Sequence, residues 1–203
     1  MQSVSFNQQL INPSKIVCIG RNYVEHIKEL GNVIPDDMVV FLKPNSAIGR
    51  TLYAELDEPL HFEAELAFLY QQGRFIAVAS GLDLTKRGLQ SQLKEKGLPW
   101  ERAKAFDNSA LFSDFIEIDD ADDLAISLTI DGAIQQQGSV NMMMYSPQVI
   151  IEQLKPFMTL VDGDIVMTGT PKGVGQVESG KTYTASVSQN NEMLVSCSWI
   201  AVS

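Results

Sequence analysis

Cysteine is scarce. Cys18 and Cys197 are the only two in 203 residues, and each sits in an apolar run. That is no disulfide framework; it suits buried free thiols in a reducing compartment. The opening MQSVSFNQQL has neither a basic start nor an apolar stretch, so no secretory signal is expected. No apolar run approaches the ~20 residues that cross a bilayer, so no membrane partner is expected and a cytoplasmic location is. Basic clusters and aromatic platforms are also missing. With a net charge of −10, phosphate backbones are repelled and a nucleic-acid partner is not expected. No repeat, low-complexity stretch or linker divides the chain. Residues 1–203 therefore read as one domain, with 1–14 a short lead-in. Hydrophobic residues make up 45% and charged residues 20%, enough for a globular core.

What is present centres on HFEAELAFLY. In a strand, Glu63 and Glu65 share one face, with Cα atoms about 7 Å apart, while Ala64 and Leu66 turn into the packing. Two carboxylates on a buried face repel each other and resist desolvation, and a divalent cation removes both costs. The same pattern also fits a solvated edge strand. Asp83 follows at the end of another apolar run. Three carboxylates form a hard oxygen site suited to Mg²⁺, with Mn²⁺ or Ca²⁺ as substitutes.

In chain order, Lys15–Gly20 reads as a buried strand, followed by a turn at Arg21-Asn22-Tyr23. Tyr23–Leu30 reads as a short helix stopped by Gly31. On it His26 and Glu29 are three apart and share a face; they suit either an exposed pair or a carboxylate-oriented base. Residues 31–38 look like a loop, and helix plus loop a lid. Met38–Leu42 reads as a strand entering a loop at Lys43-Pro44-Asn45-Ser46, and 51–60 as a polar connection. The turn Gln71-Gln72-Gly73 predicts a hairpin that returns Asp83 to Glu65. Thr85 is expected to cap a helix over 86–96 with Leu89 and Leu93 on its core face and Gly97 past its end. Arg87 and Gln90 share another face, suited to a carboxylate or to the surface. Lys104 lies among apolar neighbours. Asp131-Gly132 and Asn190-Asn191 predict two further hairpins. Ser146-Pro147 opens a helix over about 148–155. Residues 163–175 form a strand leading into a Gly/Thr-rich loop. It lacks the Gly-Lys-Ser/Thr of a Walker loop, but its backbone N–H groups can bind an anion.

The stretches GRNYVEHIKELGN, FLKPNSAI, HFEAEL, GLDLTKRGLQ, KGLPWERAKAFDN and GDIVMTGTPKGVG, in this order over roughly 15–175, resemble the fumarylacetoacetate hydrolase family. The similarity is closest to its acylpyruvase, fumarylpyruvate hydrolase and oxaloacetate decarboxylase branch. The resemblance implies an α+β, predominantly β fold: a mixed β-sandwich roll with a few short helices, assembled as a homodimer. It implies Glu63, Glu65 and Asp83 as Mg²⁺ ligands and His26 and Glu29 as a catalytic dyad. Lys104 would be catalytic, and Arg21, Arg87, Gln90 and Thr170 would bind a 2-oxo or 2,4-dioxo acid. Two departures stand out. Gly88 occupies a position where many relatives carry aspartate, which loosens the helix start, since Gly costs about 1 kcal/mol in a helix. The Glu65–Asp83 connection is shorter than in mitochondrial relatives.

The expected chemistry forms a pyruvate-type enolate beside a Lewis acid. Hydrolysis of the C3–C4 bond of an acylpyruvate or fumarylpyruvate ranks first, giving pyruvate and a carboxylic acid. Decarboxylation of oxaloacetate, or isomerisation of a 2-oxo diacid, is the alternative use of the same site. A metal-binding scaffold without turnover is a distant third.

Overall fold

The computed structural model describes residues 1–203. Nine strands carry the architecture: β1 (Lys15–Gly20), β2 (Val39–Pro44), β3 (Ala64–Gln71), β4 (Arg74–Asp83), β5 (Leu124–Ile130), β6 (Ala133–Ser139), β7 (Ile165–Met167), β8 (Thr182–Gln189) and β9 (Glu192–Ile200). Four short helices accompany them: α1 (Val24–Glu29), α2 (Arg87–Glu95), α3 (Glu101–Lys104) and α4 (Pro147–Leu154).

Turn chemistry makes the hairpins. Gln72-Gly73, Asp131-Gly132 and Asn190-Asn191 all have positive φ, as two-residue hairpin turns require. They join β3 to β4, β5 to β6, and β8 to β9 in antiparallel register. Ser146 caps α4 as expected, its side chain accepting from the Val149 N–H.

The large sheet runs β2-β1-β7-β3-β4 and continues through Ala110–Phe112 to Ile48–Gly49. It is mixed: β1 and β7 are parallel, while β7 and β3 are antiparallel. A second sheet, β6-β5-β8-β9, is antiparallel throughout. Strand alternation divides the core between the two faces of the large sheet. On β3, Leu66 and Phe68 pack with Leu124, Ile126 and Tyr183 of the second sheet. Ala67 and Leu69 point the other way, toward Ile16, Cys18, Ala77 and Phe115. The result is the expected mixed, mostly β roll.

Several local expectations are corrected. Residues 1–14 are not a bare lead-in: Val4–Phe6 and Gln9–Ile11 form a hairpin, with Val4 buried. The 51–60 connection contains two strands, Glu55–Leu56 and the start of Glu58–Phe62. Lys43 is not in a loop; it lies in β2, paired with Ile16, and is completely buried. Thr85 does not cap α2. It pairs with His61 in a small sheet, and Lys86 precedes the helix with no side-chain cap. Glu63 and Glu65 do not share one strand. Residues 58–62 pair with 85–86 and 175–176 in that small sheet, while β3 starts at Ala64 in the large one. The chain changes sheets at Glu63 because the Ala64 N–H goes to the Gln136 side chain, 3.0 Å away on β6, instead of to a ladder partner.

Candidate active site

The sheet change and the β3–β4 hairpin build the site. Glu65 lies opposite Gly81, on the face of the sheet shared by Ala67. Asp83 ends β4, and its N–H donates to Glu63 O at 2.8 Å, tying the two acidic positions through the backbone. One carboxylate oxygen from each of Glu63, Glu65 and Asp83 lies within 4.8 Å of the others. All three residues are buried, so the solvated-edge alternative does not hold.

Cations compensate two of the three. Lys104 Nζ, at the end of α3, donates to Glu63 Oε2 and Asp83 Oδ2, both at 2.8 Å, and to Thr85 Oγ1 at 2.7 Å. Arg87 Nη2 pairs with Glu63 Oε1. Lys43 Nζ lies 2.8 Å from Asp83 Oδ1 as an ion pair, and donates to Ser109 O at 3.0 Å and to Lys104 O. Burial raises the Glu63 carboxyl, but the Lys104 and Arg87 charges outweigh it and hold it well below the usual range. Burial lowers Lys104, but Asp83 and Glu63 outweigh that and keep its ammonium above the usual lysine value.

Glu65 is different. No cation pairs with it, and its Oε2 accepts only the Gly169 N–H, at 2.7 Å. Burial, then Asp83, then Glu63, push its carboxyl well above the usual range. A buried all-oxygen cluster with one carboxylate left without a counter-charge fits a divalent cation of the Mg²⁺ or Mn²⁺ type. Glycine is required at 169: φ is +93°, and a Cβ there would meet Ile19 O at 2.9 Å.

The other expected residues converge on the same cleft, which His26, Arg21, Arg87, Gln90, Lys104 and Thr170 line together with the three acids. His26 Nδ1 lies 3.2 Å from Glu29 Oε2. Glu29 accepts in turn from the Gly173 N–H, at 2.9 Å to Oε1. Thus two backbone N–H groups of the Gly/Thr loop are taken up by carboxyl groups of the chain itself, Gly169 by Glu65 and Gly173 by Glu29. Arg87 Nη1 donates to Gln90 Oε1 at 2.7 Å. Thr170 Oγ1 donates to Ala64 O at 2.8 Å.

Sequence reasoning missed three contributors. Lys43 looked like a loop residue. Gln136 is buried on β6 and donates to Thr170 Oγ1 and Pro171 O, each at 2.8 Å, so it positions both Thr170 and the sheet change. Lys94, one turn beyond Gln90 on α2, also lines the cleft. A lysine inside the apolar run VVFLKP was the one available signal for Lys43; Gln136 and Lys94 left none. Gly88 is also explained. Its Cβ would lie 3.2 Å from Glu58 Oε2, and that carboxylate accepts the Leu89 N–H at 3.2 Å. Glu58 therefore caps α2 from the neighbouring strand, in the space that Gly88 leaves open.

The sequence model for "Fumarylacetoacetate (FAA) hydrolase C-terminal" matches residues 15–200. The chain belongs to the fumarylacetoacetate hydrolase family. Among relatives in this family, oxaloacetate tautomerase YcgM of Escherichia coli (strain K12) is 37% identical over 195 residues, covering 84% of this chain and 87% of that one. Oxaloacetate tautomerase FAHD1, mitochondrial, of Arabidopsis thaliana is 38% identical, covering 89% of each. Among solved structures, fumarylpyruvate hydrolase from Pseudomonas aeruginosa, crystallised with Mn²⁺ and pyruvate, matches with a TM-score of 0.88 at 29% identity, over 99% of this chain and 95% of that one. An Oleispira antarctica protein matches with a TM-score of 0.92 at 35% identity over the whole of both chains. No helix here is long and apolar enough to cross a membrane.

Proposed function

We propose that this member of the fumarylacetoacetate hydrolase family interconverts the enol and keto forms of oxaloacetate, with a divalent cation held by Glu63, Glu65 and Asp83. This reverses the ranking expected from sequence, where C3–C4 hydrolysis came first. The relatives named oxaloacetate tautomerase, at 37 and 38% identity, support the change. The observation that carries the chemistry is the His26–Glu29 pair beside the buried acidic cluster.

Mg²⁺ or Mn²⁺, when bound, supplies Lewis acidity toward the 2-oxo group. The protein's own residues do the rest. Arg87 and Gln90 hold the carboxylate next to the 2-oxo group, and Thr170 fixes that end of the substrate. Glu29 holds His26 Nδ1, so that Nε2 serves as the base. His26 takes a proton from C3. The electron pair of that C–H bond becomes the C2=C3 bond, and the C2=O π pair moves onto oxygen. The Lys104 ammonium, held by Glu63, Asp83 and Thr85, supplies positive charge in the cleft as charge gathers on that oxygen. His26 then returns the proton to the oxygen, giving the enol; the reverse sequence gives the keto form. No water is consumed and no carbon–carbon bond breaks.

The test is the ultraviolet enol absorbance of freshly dissolved oxaloacetate, read with pyruvate and CO₂ release, with Mg²⁺ or with chelator. Metal-dependent loss of the enol ahead of pyruvate is the expected result. Pyruvate forming in step with enol loss would move the reaction to decarboxylation. Hydrolysis is the second reading, favoured by the Pseudomonas aeruginosa fumarylpyruvate hydrolase match; turnover of fumarylpyruvate or acetylpyruvate with no effect on the oxaloacetate enol would select it. A homodimer belongs to the same reading. Exposed Ile134, Met193 and Ile200, on strands of the second sheet, suit it, and sedimentation tests it.

A further inference from the structure

The cleft contains more positive charge than its acids neutralise. Arg21, Arg87, Lys94 and Lys104 all line it. Arg87 and Lys104 are ion-paired with Glu63 and Asp83. Arg21 and Lys94 are ion-paired with no carboxylate. Arg21 Nη2 donates to Asn32 Oδ1 at 3.3 Å, and its Nε is buried with no hydrogen-bond partner. Its backbone adopts φ +57°, a conformation uncommon for a residue with a long side chain and typical of functional turns. Lys94 is partly buried, with Nζ 4.9 Å from the Trp100 ring centroid. Burial, then the Arg21 and Arg87 charges, push its ammonium down to about 8. Packing on Trp100 accounts for where Lys94 lies. It does not account for a second cation beside it, nor for a buried guanidinium nitrogen without an acceptor, which costs stability until an anion arrives.

We propose that Arg21 and Lys94 together receive the second carboxylate of a dicarboxylic 2-oxo acid whose 2-oxo-carboxylate end lies against Arg87 and Gln90. This rests on the oxaloacetate reading and adds the element that selects a dianion. The helix sets the spacing. Lys94 lies on α2 about 6 Å beyond Gln90 and about 10 Å beyond Arg87, at 1.5 Å per residue, so it is displaced along the helix from the residues assigned to the 2-oxo-carboxylate end. The Arg21 guanidinium offers a planar fork to a carboxylate, and the Lys94 ammonium a movable point charge. A monoanionic acylpyruvate brings an uncharged group to this end and leaves both cations unmatched.

The experiment compares the KM for freshly dissolved oxaloacetate with the competitive inhibition constant of pyruvate. Pyruvate has the same 2-oxo-carboxylate end but no second carboxylate. Wild type, Lys94→Gln, Arg21→Lys and the remote surface control Lys155→Gln are measured in Mg²⁺. Lys94→Gln raises the KM for oxaloacetate about tenfold, the loss expected for one charge-assisted hydrogen bond, and shifts pyruvate less than twofold. Arg21→Lys acts in the same direction, and Lys155→Gln changes neither. Equal weakening of both ligands, or no change, overturns the proposal. If Arg21→Lys fails to fold, Lys94→Gln decides alone, because its side chain is partly exposed. If wild type shows no tautomerase activity, calorimetry of Mn²⁺-loaded protein with the same two acids separates the claims. A preference for oxaloacetate that Lys94→Gln abolishes keeps the dianion receptor while the tautomerase reading fails. Equal affinity for the two acids removes the receptor.

Discussion

Replacing Lys43 with methionine should be among the most damaging single changes near this site, and the cost can be worked from its surroundings. The Lys43 and Asp83 side chains are both fully buried. Methionine fills nearly the same volume without the ammonium, so little cavity is created and the loss is electrostatic. Removing one partner of a buried ion pair costs about 3–5 kcal/mol, because the other charge stays buried. Two contacts soften the loss here. Lys104 still holds Asp83 Oδ2, and Ser109 Oγ still donates to Lys104 O at 2.9 Å. Ser109 O, however, loses the Lys43 donor. The lower end, about 3 kcal/mol, is the expected value. For a chain of this size that lowers Tm by about 6–12 °C. Urea denaturation in excess chelator, followed by tryptophan fluorescence, measures it without a metal contribution. Asp83→Asn paired with Lys43→Met should cost less than the two single changes added together. A Lys43→Met loss below about 1 kcal/mol, with an unchanged denaturant slope, would refute the reasoning.

Glu65→Gln should leave the fold intact by circular dichroism and lower Mn²⁺ affinity more than tenfold by calorimetry; unchanged affinity would remove Glu65 from the ligand set. His26→Gln should cut enol turnover about 10²–10⁴-fold, the range for a lost general base, while Mn²⁺ affinity holds. Gly88→Asp should destabilise α2 by about 1 kcal/mol while Glu58 is present, because two carboxylates would compete for one helix start, and should cost less in Glu58→Ala; a cost that does not depend on Glu58 would count against capping by that residue. Burial and the neighbouring Arg21 and Arg87 charges push the Lys94 ammonium down to about 8. The protonated form attracts the dianion, so kcat/KM for oxaloacetate should fall as pH rises through about 8, and Lys94→Gln should flatten that limb.

The sequence made visible whatever short-range chemistry controls. Asp131-Gly132 and Asn190-Asn191 announced their hairpins because two-residue turns need residues that tolerate positive φ. Gln72-Gly73 did the same and brought Asp83 back to Glu65. Long-range partners were not visible. The break at Glu63 depends on Gln136, far along the chain, taking the Ala64 N–H. Thr85 reads as a helix cap from its neighbours alone, yet its hydroxyl accepts from Lys104 and its backbone pairs with His61. Lys43 beside a proline reads as a loop. Its burial becomes favourable only because Asp83 and two carbonyls converge on it from other elements.

The β3–β4 hairpin also shows where the Glu65–Asp83 connection could change length without moving the acids. Glu65 and Asp83 sit at the base of the two arms, and at about 3.3 Å per residue the Gln72-Gly73 tip lies about 23 Å along the strand from Glu65 and about 33 Å from Asp83. Removing or adding residues in cross-strand pairs at the tip leaves Glu65 opposite Gly81. The irregular register between Leu69 and Tyr70 shows that an unpaired residue can also be absorbed along the arm. The hairpin therefore behaves as a ruler with a fixed zero and an adjustable far end. That far end is where a fluorophore, an affinity tag or a graft could be placed without changing the spacing of the acids at its base.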